Sequence, residues 1–189
     1  MPHSGRNQLR IIAGEWRGRK LPFTDVDGLR PTPDRVRETL FNWLAPMITG
    51  ARCLDPFAGS GALGLEALSR GAAELVMLDQ HAGVIQQLKA NLTLLACQHA
   101  TVQQADALQY LQQTPVKPFD VVFLDPPYRK NLLVPCCELL HAKDWLAKGA
   151  RVYLELESDQ SLPALPVNWT LARSKKAGQV AYHLAIVSG

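Results

Sequence analysis

Between residues 51 and 157 the chain alternates short strand-like runs with helix-like ones, and that alternation constrains the fold more than any other feature. ARCLD, ELVMLD, HATVQQ, FDVVFLD and RVYLELE are strand-like. The intervening segments predict helices from near Gly61 to Gly71, over about 81–96, near 106–113 and near 131–147. In the second of these, Val84, Ile85, Leu88, Leu92 and Leu95 share one face. Strands joined by helical crossovers lie parallel, with helices on both faces of the sheet. NWTLARSKK and QVAYHLAIV, on either side of Ala177-Gly178, then predict an antiparallel hairpin at the sheet edge. The expectation is an α/β, Rossmann-like fold with a mixed, mostly parallel sheet of seven strands.

The first 50 residues read differently. LRII and RKLPF, linked through Gly14 and Gly18, predict a small hairpin. Thr32-Pro33 reads as a helix start, with Thr32 as N-cap and Pro33 at the first helical position. The helix predicted from Asp34 to about Met47 places Val36, Leu40, Trp43, Leu44 and Met47 on one side. Charge divides the same way: residues 1–20 carry Arg6, Arg10, Arg17, Arg19 and Lys20 against Glu15, a net +4, while the remainder sums to −1. We therefore divide the chain into a basic arm, 1–30, and a main domain, 31–189. A basic arm on a near-neutral body suggests contact with phosphates, although a solvated tail has the same composition. Trp16, set among these arginines, either stacks on a base or packs the hairpin.

With 47% hydrophobic and 20% charged residues, the chain has the composition of a folded domain. No apolar run approaches membrane-spanning length, and the N-terminus lacks an apolar targeting core, so the cytosol is the default compartment. Cys53, Cys97, Cys136 and Cys137 lack metal-ligand spacing and read as reduced, mostly buried small hydrophobes. No metal is called for, and the five histidines are scattered.

Asp55-Pro56-Phe57-Ala58-Gly59-Ser60-Gly61 follows the first of these strands and opens a helix, with glycines at 59, 61 and 64. Glycine lets the backbone turn sharply and press against a ligand at the carboxyl end of a sheet. That pattern alone fits a dinucleotide dehydrogenase equally well. Asp55 argues otherwise, because a carboxylate beside the loop repels a pyrophosphate and attracts an ammonium and a sulfonium. Asp79 ends the second strand, where it can accept from ribose hydroxyls. Asp106 follows the third and is either a helix N-cap or an acceptor for an adenine amino group.

Asp125-Pro126-Pro127-Tyr128, directly after FDVVFL, is the most specific signal. Two prolines remove two backbone donors, leaving a carboxylate, carbonyls and an aromatic ring. Such a corner suits a planar base with a donor-only amino group; a plain turn has the same composition. At the end of the fourth strand it would stand beside the glycine loop, where the strand order reverses.

The sequence resembles the class I S-adenosylmethionine-dependent methyltransferases carrying a DPPY or NPPY motif. Within them it resembles the ribosomal RNA small-subunit methyltransferase D family, guanine-N2 methyltransferases. RIIAGEWRGRKL, RPTPDRVRETLFNWL, LDPFAGSGALGLEALSRGA, VMLD, DPPY and KKAGQVAYHLAIV carry the resemblance across nearly the whole chain. It implies that Asp55, Phe57, Gly59 and Gly61 hold the methionine part of S-adenosylmethionine, Asp79 the ribose and Asp106 the adenine. It implies further that Arg30, Pro31 and Thr32 close over the cofactor with Arg35 and Arg37 nearby, and that Asp125, Pro126, Pro127 and Tyr128 hold the target guanine. Small-subunit ribosomal RNA, or the assembling small subunit, is then the partner, gripped by Arg10, Trp16, Arg17, Arg19 and Lys20; a monomer is the expected state. Three alternatives stand beside this reading: an adenine-N6 methyltransferase, a nicotinamide-dependent oxidoreductase and a non-catalytic RNA-binding module.

Overall fold

The computed structural model describes residues 7–27 and 29–189; Arg6 of the basic arm lies outside them. The chain opens with an antiparallel pair, β1 (Gln8–Arg10) and β2 (Lys20–Pro22), followed by α1 (Asp34–Leu44). Then come β3 (Arg52–Asp55), α2 (Ala62–Ser69), β4 (Glu74–Asp79), α3 (Ala82–Leu94), β5 (Ala100–Gln104), α4 (Ala107–Leu111), β6 (Phe119–Leu124) and α5 (Leu133–Ala142). β7 (Leu146–Glu157), β8 (Trp169–Ala177) and β9 (Val180–Val187) complete the chain.

The last seven strands form one sheet in the order β5-β4-β3-β6-β7-β9-β8. β3 through β7 are parallel, and β9 and β8 run antiparallel at the end, as the alternation and the terminal hairpin require. From β3 the chain builds outward to β5, then crosses back to lay β6 against the other side of β3, pairing Cys53 with Val121 and Leu54 with Val122. The order reverses between β3 and β6, where the crevice of an open α/β sheet lies.

Alternation along the strands divides the core. Cys53, Val121, Phe123 and Tyr153 face α1, α2 and α3, against Leu40, Phe41, Leu65 and Leu88. Leu54, Val122, Leu124 and Leu154 face the opposite layer, against Cys136, Cys137 and Leu140 of α5. Full burial of each such side chain contributes about 1.5–3 kcal/mol.

The N-terminal pair is docked on the helices. Ile12 and Ala13 donate backbone N–H groups to the carboxylate of Glu66 in α2 at 2.9 and 3.0 Å. Ser69 accepts from the Trp16 N–H at 2.9 Å and donates to the Ala13 carbonyl at 2.6 Å. Gly14 has φ +83°, and a Cβ there would lie 1.8 Å from the Ser69 carbonyl oxygen, so no other residue lets the link approach α2 this closely. Trp16 is buried at 9% exposure within the same core, so of its two readings the structure has the packing one and the ring is not offered for base stacking.

Three local expectations are corrected. The helix predicted over 131–147 stops at Ala142, because Asp144 adopts φ +56° and Leu146 pairs with Phe119 as the start of β7. Aspartate tolerates that left-handed conformation better than most residues. The N-cap of α1 is Pro33 and not Thr32, whose hydroxyl turns toward Asp125. Arg37 does not stand toward a ligand: it is 1% exposed and bonds to Glu66, Asp34 and the carbonyls of Arg10 and Thr32.

Candidate active site

β3 delivers Asp55 to the mouth of the crevice, where it is buried and its Oδ1 has no hydrogen-bond partner among the described residues. Burial pushes its acid group up to about 7, with a smaller push from Asp79; the N–H groups of Phe57 and Gly64 oppose the shift. The glycine loop then turns into α2 through Gly61, whose φ of +81° and packing leave no room for a side chain: a Cβ would lie 2.7 Å from Leu88. The loop is pinned to β4 by Ala58 N–H to the Leu78 carbonyl at 2.9 Å and Gly59 N–H to Asp79 Oδ2 at 3.1 Å. Phe57 is half-buried against the second core layer.

Asp79 ends β4 and also holds His81, whose N–H and Nδ1 lie 2.9 and 3.0 Å from Oδ1. Asp106 caps α4, accepting from the Gln109 N–H at 2.9 Å, and its other oxygen takes the Gln80 amide. The capping alternative therefore describes its geometry here, and each carboxylate oxygen retains a second lone pair. Asp55, Asp79 and Asp106 stand at or just beyond the carboxyl ends of three adjacent strands.

On the other side of the reversal β6 ends at Leu124, and Asp125 follows it directly. Its acid group is raised well above the usual carboxylate range, first by burial, then by Glu155 and Asp55; a long 3.5 Å contact from the Thr32 hydroxyl opposes this. Pro126 is buried while Pro127 and Tyr128 are exposed, the latter at 46%. Burial and the carboxylates of Glu155, Asp125 and Glu157 push the Tyr128 phenol up to about 12. Arg129 and Asn131 both have positive φ, so the chain bends sharply away after the tetrapeptide. The bend opens a pocket of about 340 Å³ whose lining includes Pro126, Pro127, Tyr128, Glu155, Glu157 and Gln160.

Glu155 was not among the candidates read from the sequence, although RVYLELE carries an acid near its carboxyl end as the first, second and fourth strands do. The remaining candidates lie at the periphery. Thr32 is buried, while Arg30 and Arg35 are exposed near the start of α1. Arg10 pairs with Asp34 at 3.2 Å, Arg19 donates to the Leu94 carbonyl at the end of α3 at 3.0 Å, and Arg17 and Lys20 are exposed. Among the described residues no group of three or more His, Cys, Asp or Glu is arranged to hold a metal ion, and no helix is long and apolar enough to cross a membrane.

This strand order, with a glycine loop after the first parallel strand and acids at the strand ends, defines a Rossmann-like class I methyltransferase. The same fold occurs in the Pyrococcus abyssi tRNA (uracil-54, C5)-methyltransferase solved with S-adenosyl-L-homocysteine, at 15% identity, a TM-score of 0.65 and coverage of 96% of this chain and 44% of that one. Residues 9–186 match the family described as Conserved hypothetical protein 95. Ribosomal RNA small subunit methyltransferase D of Escherichia coli is 55% identical over 182 residues, 96% of this chain and 91% of the relative. The solved Escherichia coli protein yhhF superposes with a TM-score of 0.90 at 53% identity, covering 96% of this chain and 99% of that one. The chain belongs to the ribosomal RNA small subunit methyltransferase D family.

Proposed function

We propose that this chain methylates the exocyclic N2 amine of a guanine in small-subunit ribosomal RNA, with S-adenosylmethionine as donor. The observation that carries the reading is the pairing of β3 with β6, which sets the glycine loop and its carboxylate beside the acceptor-lined tetrapeptide. The printed names of the relatives support ribosomal RNA as the polymer.

The residues present fit the donor. The unpartnered Oδ1 of buried Asp55 suits its ammonium group, and the sharp turn that Gly59 and Gly61 make at positive φ lets the loop backbone fold close to the methionine portion. Asp79 takes the ribose hydroxyls and Asp106 the adenine amine on their remaining lone pairs. Arg30 and Thr32, from the segment before α1, close over it. When bound, the cofactor supplies an electrophilic methyl group on a sulfonium that departs as a neutral thioether.

Asp125 and the Pro126 carbonyl each accept one hydrogen of the target amine, which turns the nitrogen lone pair toward the methyl group. Tyr128 stacks on the base, an interaction worth about 1–3 kcal/mol. Positioning supplies most of the acceleration, with nitrogen and methyl carbon held about 3–3.5 Å apart. Asp125 balances the positive charge growing on nitrogen and receives the proton that the product must lose. The base is unstacked, flipped or already single-stranded, before it enters. The main domain, 31–189, holds this chemistry, and the arm, 1–30, grips RNA phosphates through Arg10, Arg17, Arg19 and Lys20.

Two outcomes follow. Cofactor affinity depends on the charge of Asp55, whose acid group stands near 7 in the free protein. Binding an ammonium requires the carboxylate, so the affinity falls as pH drops below about 7, approaching tenfold per unit. The stability sign is opposite: between the usual carboxylate value of 3.8 and about 7 the folded chain holds a proton the unfolded chain lacks, so the cofactor-free protein loses stability as pH rises through that window. Calorimetry from about pH 6 to about pH 8 checks the affinity slope, which Asp55→Asn abolishes. In the arm, replacing Arg17 and Arg19 together by alanine weakens RNA binding and lowers the slope of log affinity against log salt by about 1–2. Filter binding across a salt series measures it, and an unchanged slope removes the arm from the interface.

The function itself is tested with methyl-labelled cofactor on total ribosomal RNA and on partly assembled subunits, followed by nucleoside analysis. Label in N2-methylguanosine of the small-subunit RNA is expected. Label in N6-methyladenosine favours the adenine alternative, and binding of NAD without S-adenosylmethionine favours the oxidoreductase.

A further inference from the structure

We infer that Glu155 selects the base: its carboxylate accepts the ring N1–H of the guanine whose N2 amine Asp125 holds. The inference rests on the amine-methylating reading above and deepens it, because the tetrapeptide alone grips any amino group and does not tell guanine from adenine.

Position comes first. β6 and β7 run parallel with Leu124 opposite Leu154, so Asp125, just past the end of β6, stands beside Glu155, which is still within β7. Strands in a sheet lie about 4.8 Å apart, so the two residues are close neighbours across the strands. Glu155 lines the same pocket as Pro126, Pro127 and Tyr128.

Glu155 is also buried without a compensating charge. It is 5% exposed, and among the described residues its hydrogen-bond partner is the phenol of Tyr153, at 2.7 Å, with no cation paired to it. A buried carboxylate without a cation is costly, and such groups cluster at functional sites. Burial raises its acid group and the Tyr153 bond opposes that rise; Glu155 in turn raises both Asp125 and Tyr128. Glu155 and Tyr128 line the pocket, and Asp125 stands next to Glu155 across the paired strand ends.

The chemistry of the two purines supplies the remainder. Guanine presents two neighbouring donors, N1–H and the N2 amine, along its Watson–Crick edge. Adenine presents its N6 amine beside an N1 lone pair. A pair of neighbouring carboxylates satisfies the first pattern and sets acceptor against acceptor in the second. Tyr153 is a positioning residue, holding the Glu155 carboxylate through its phenol.

The test uses the RNA, or the reconstituted particle, that the wild-type chain labels, prepared with guanine or with 2-aminopurine at the labelled position. 2-Aminopurine keeps the 2-amine and replaces N1–H by a lone pair. The wild-type chain is expected to favour guanine in kcat/KM by about 10–100-fold. In Glu155→Gln the amide donates to that lone pair, so the preference falls at least about tenfold and approaches or passes unity. Asp125→Asn slows both substrates alike. Melting temperature and cofactor affinity show that each variant is folded. Should Glu155→Gln fail to fold, Tyr153→Phe takes its place and is expected to reduce the preference. A wild-type preference retained by folded Glu155→Gln, or in its absence by Tyr153→Phe, overturns the inference. A wild-type chain that transfers no methyl to guanine, in place of an altered preference, identifies a failure of the underlying reading.

Discussion

Replacing Asp125 by alanine is expected to lower methyl transfer by about 10²–10⁴-fold while the cofactor still binds within about threefold of its wild-type affinity. The two effects separate because they belong to opposite sides of the strand reversal. Asp55 and Asp79 end β3 and β4 and the glycine loop follows β3, whereas Asp125 follows β6. The variant also removes a half-buried carboxyl group whose acid group is raised by burial and by repulsion from Glu155 and Asp55. Relief of that repulsion leaves melting unchanged or higher, so lost activity is not lost folding. Single-turnover transfer with labelled cofactor, alongside calorimetry, measures both sides. Near-wild-type transfer would remove Asp125 from the chemistry.

The largest loss of stability is expected from Glu66→Ala. Glu66 lies fully buried in α2 and accepts from the Ile12 and Ala13 N–H groups, from Arg70 Nε at 2.8 Å and from Arg37 Nη1 at 3.4 Å. Arg37 is itself buried, so deleting the carboxylate leaves a guanidinium without its buried counter-charge and two amides without acceptors. Breaking one side of a buried pair costs about 3–5 kcal/mol, against a total stability of roughly 5–15 kcal/mol. For a chain of this length the melting temperature should drop by about 10 °C or more. Glu66→Gln, which keeps an acceptor for the amides, should lose less. A thermal melt within about 2 °C of wild type for Glu66→Ala would show that the hub carries little of the fold. The same hub fixes α1 and, through Arg37 and the Thr32 carbonyl, the segment that reaches Asp125.

The architecture was legible because its signals are local and repeated. β-branched and aliphatic runs ending in an acid, each followed by a helical period, occur often enough to specify the parallel sheet, and the tetrapeptide and glycine loop declare themselves in adjacent residues. What the sequence hid depends on which groups meet. The resemblance put Arg37 near the cofactor, but its acids are Glu66, 29 residues away, and Asp34. Glu66 had one clue: every residue of α2 is buried, so its single acid cannot face solvent. Thr32-Pro33 has the composition of a capped start, yet the threonine hydroxyl turns to a carboxylate 93 positions on. The helix expected near 131–147 ran past Asp144, where the observed backbone breaks into β7. Glu155 escaped because a terminal acid on the fifth parallel strand has meaning only once that strand is seen beside Asp125.

A crystal structure of the chain with S-adenosylhomocysteine and guanosine tests the central claim most directly. The ligand's ammonium is expected on Asp55, its sulfur turned toward Asp125 and Pro126, and the guanine amine between those acceptors and the sulfur. A cofactor product bound away from the loop at Gly59 and Gly61, or a guanine amine pointing away from residues 125–128, would contradict it.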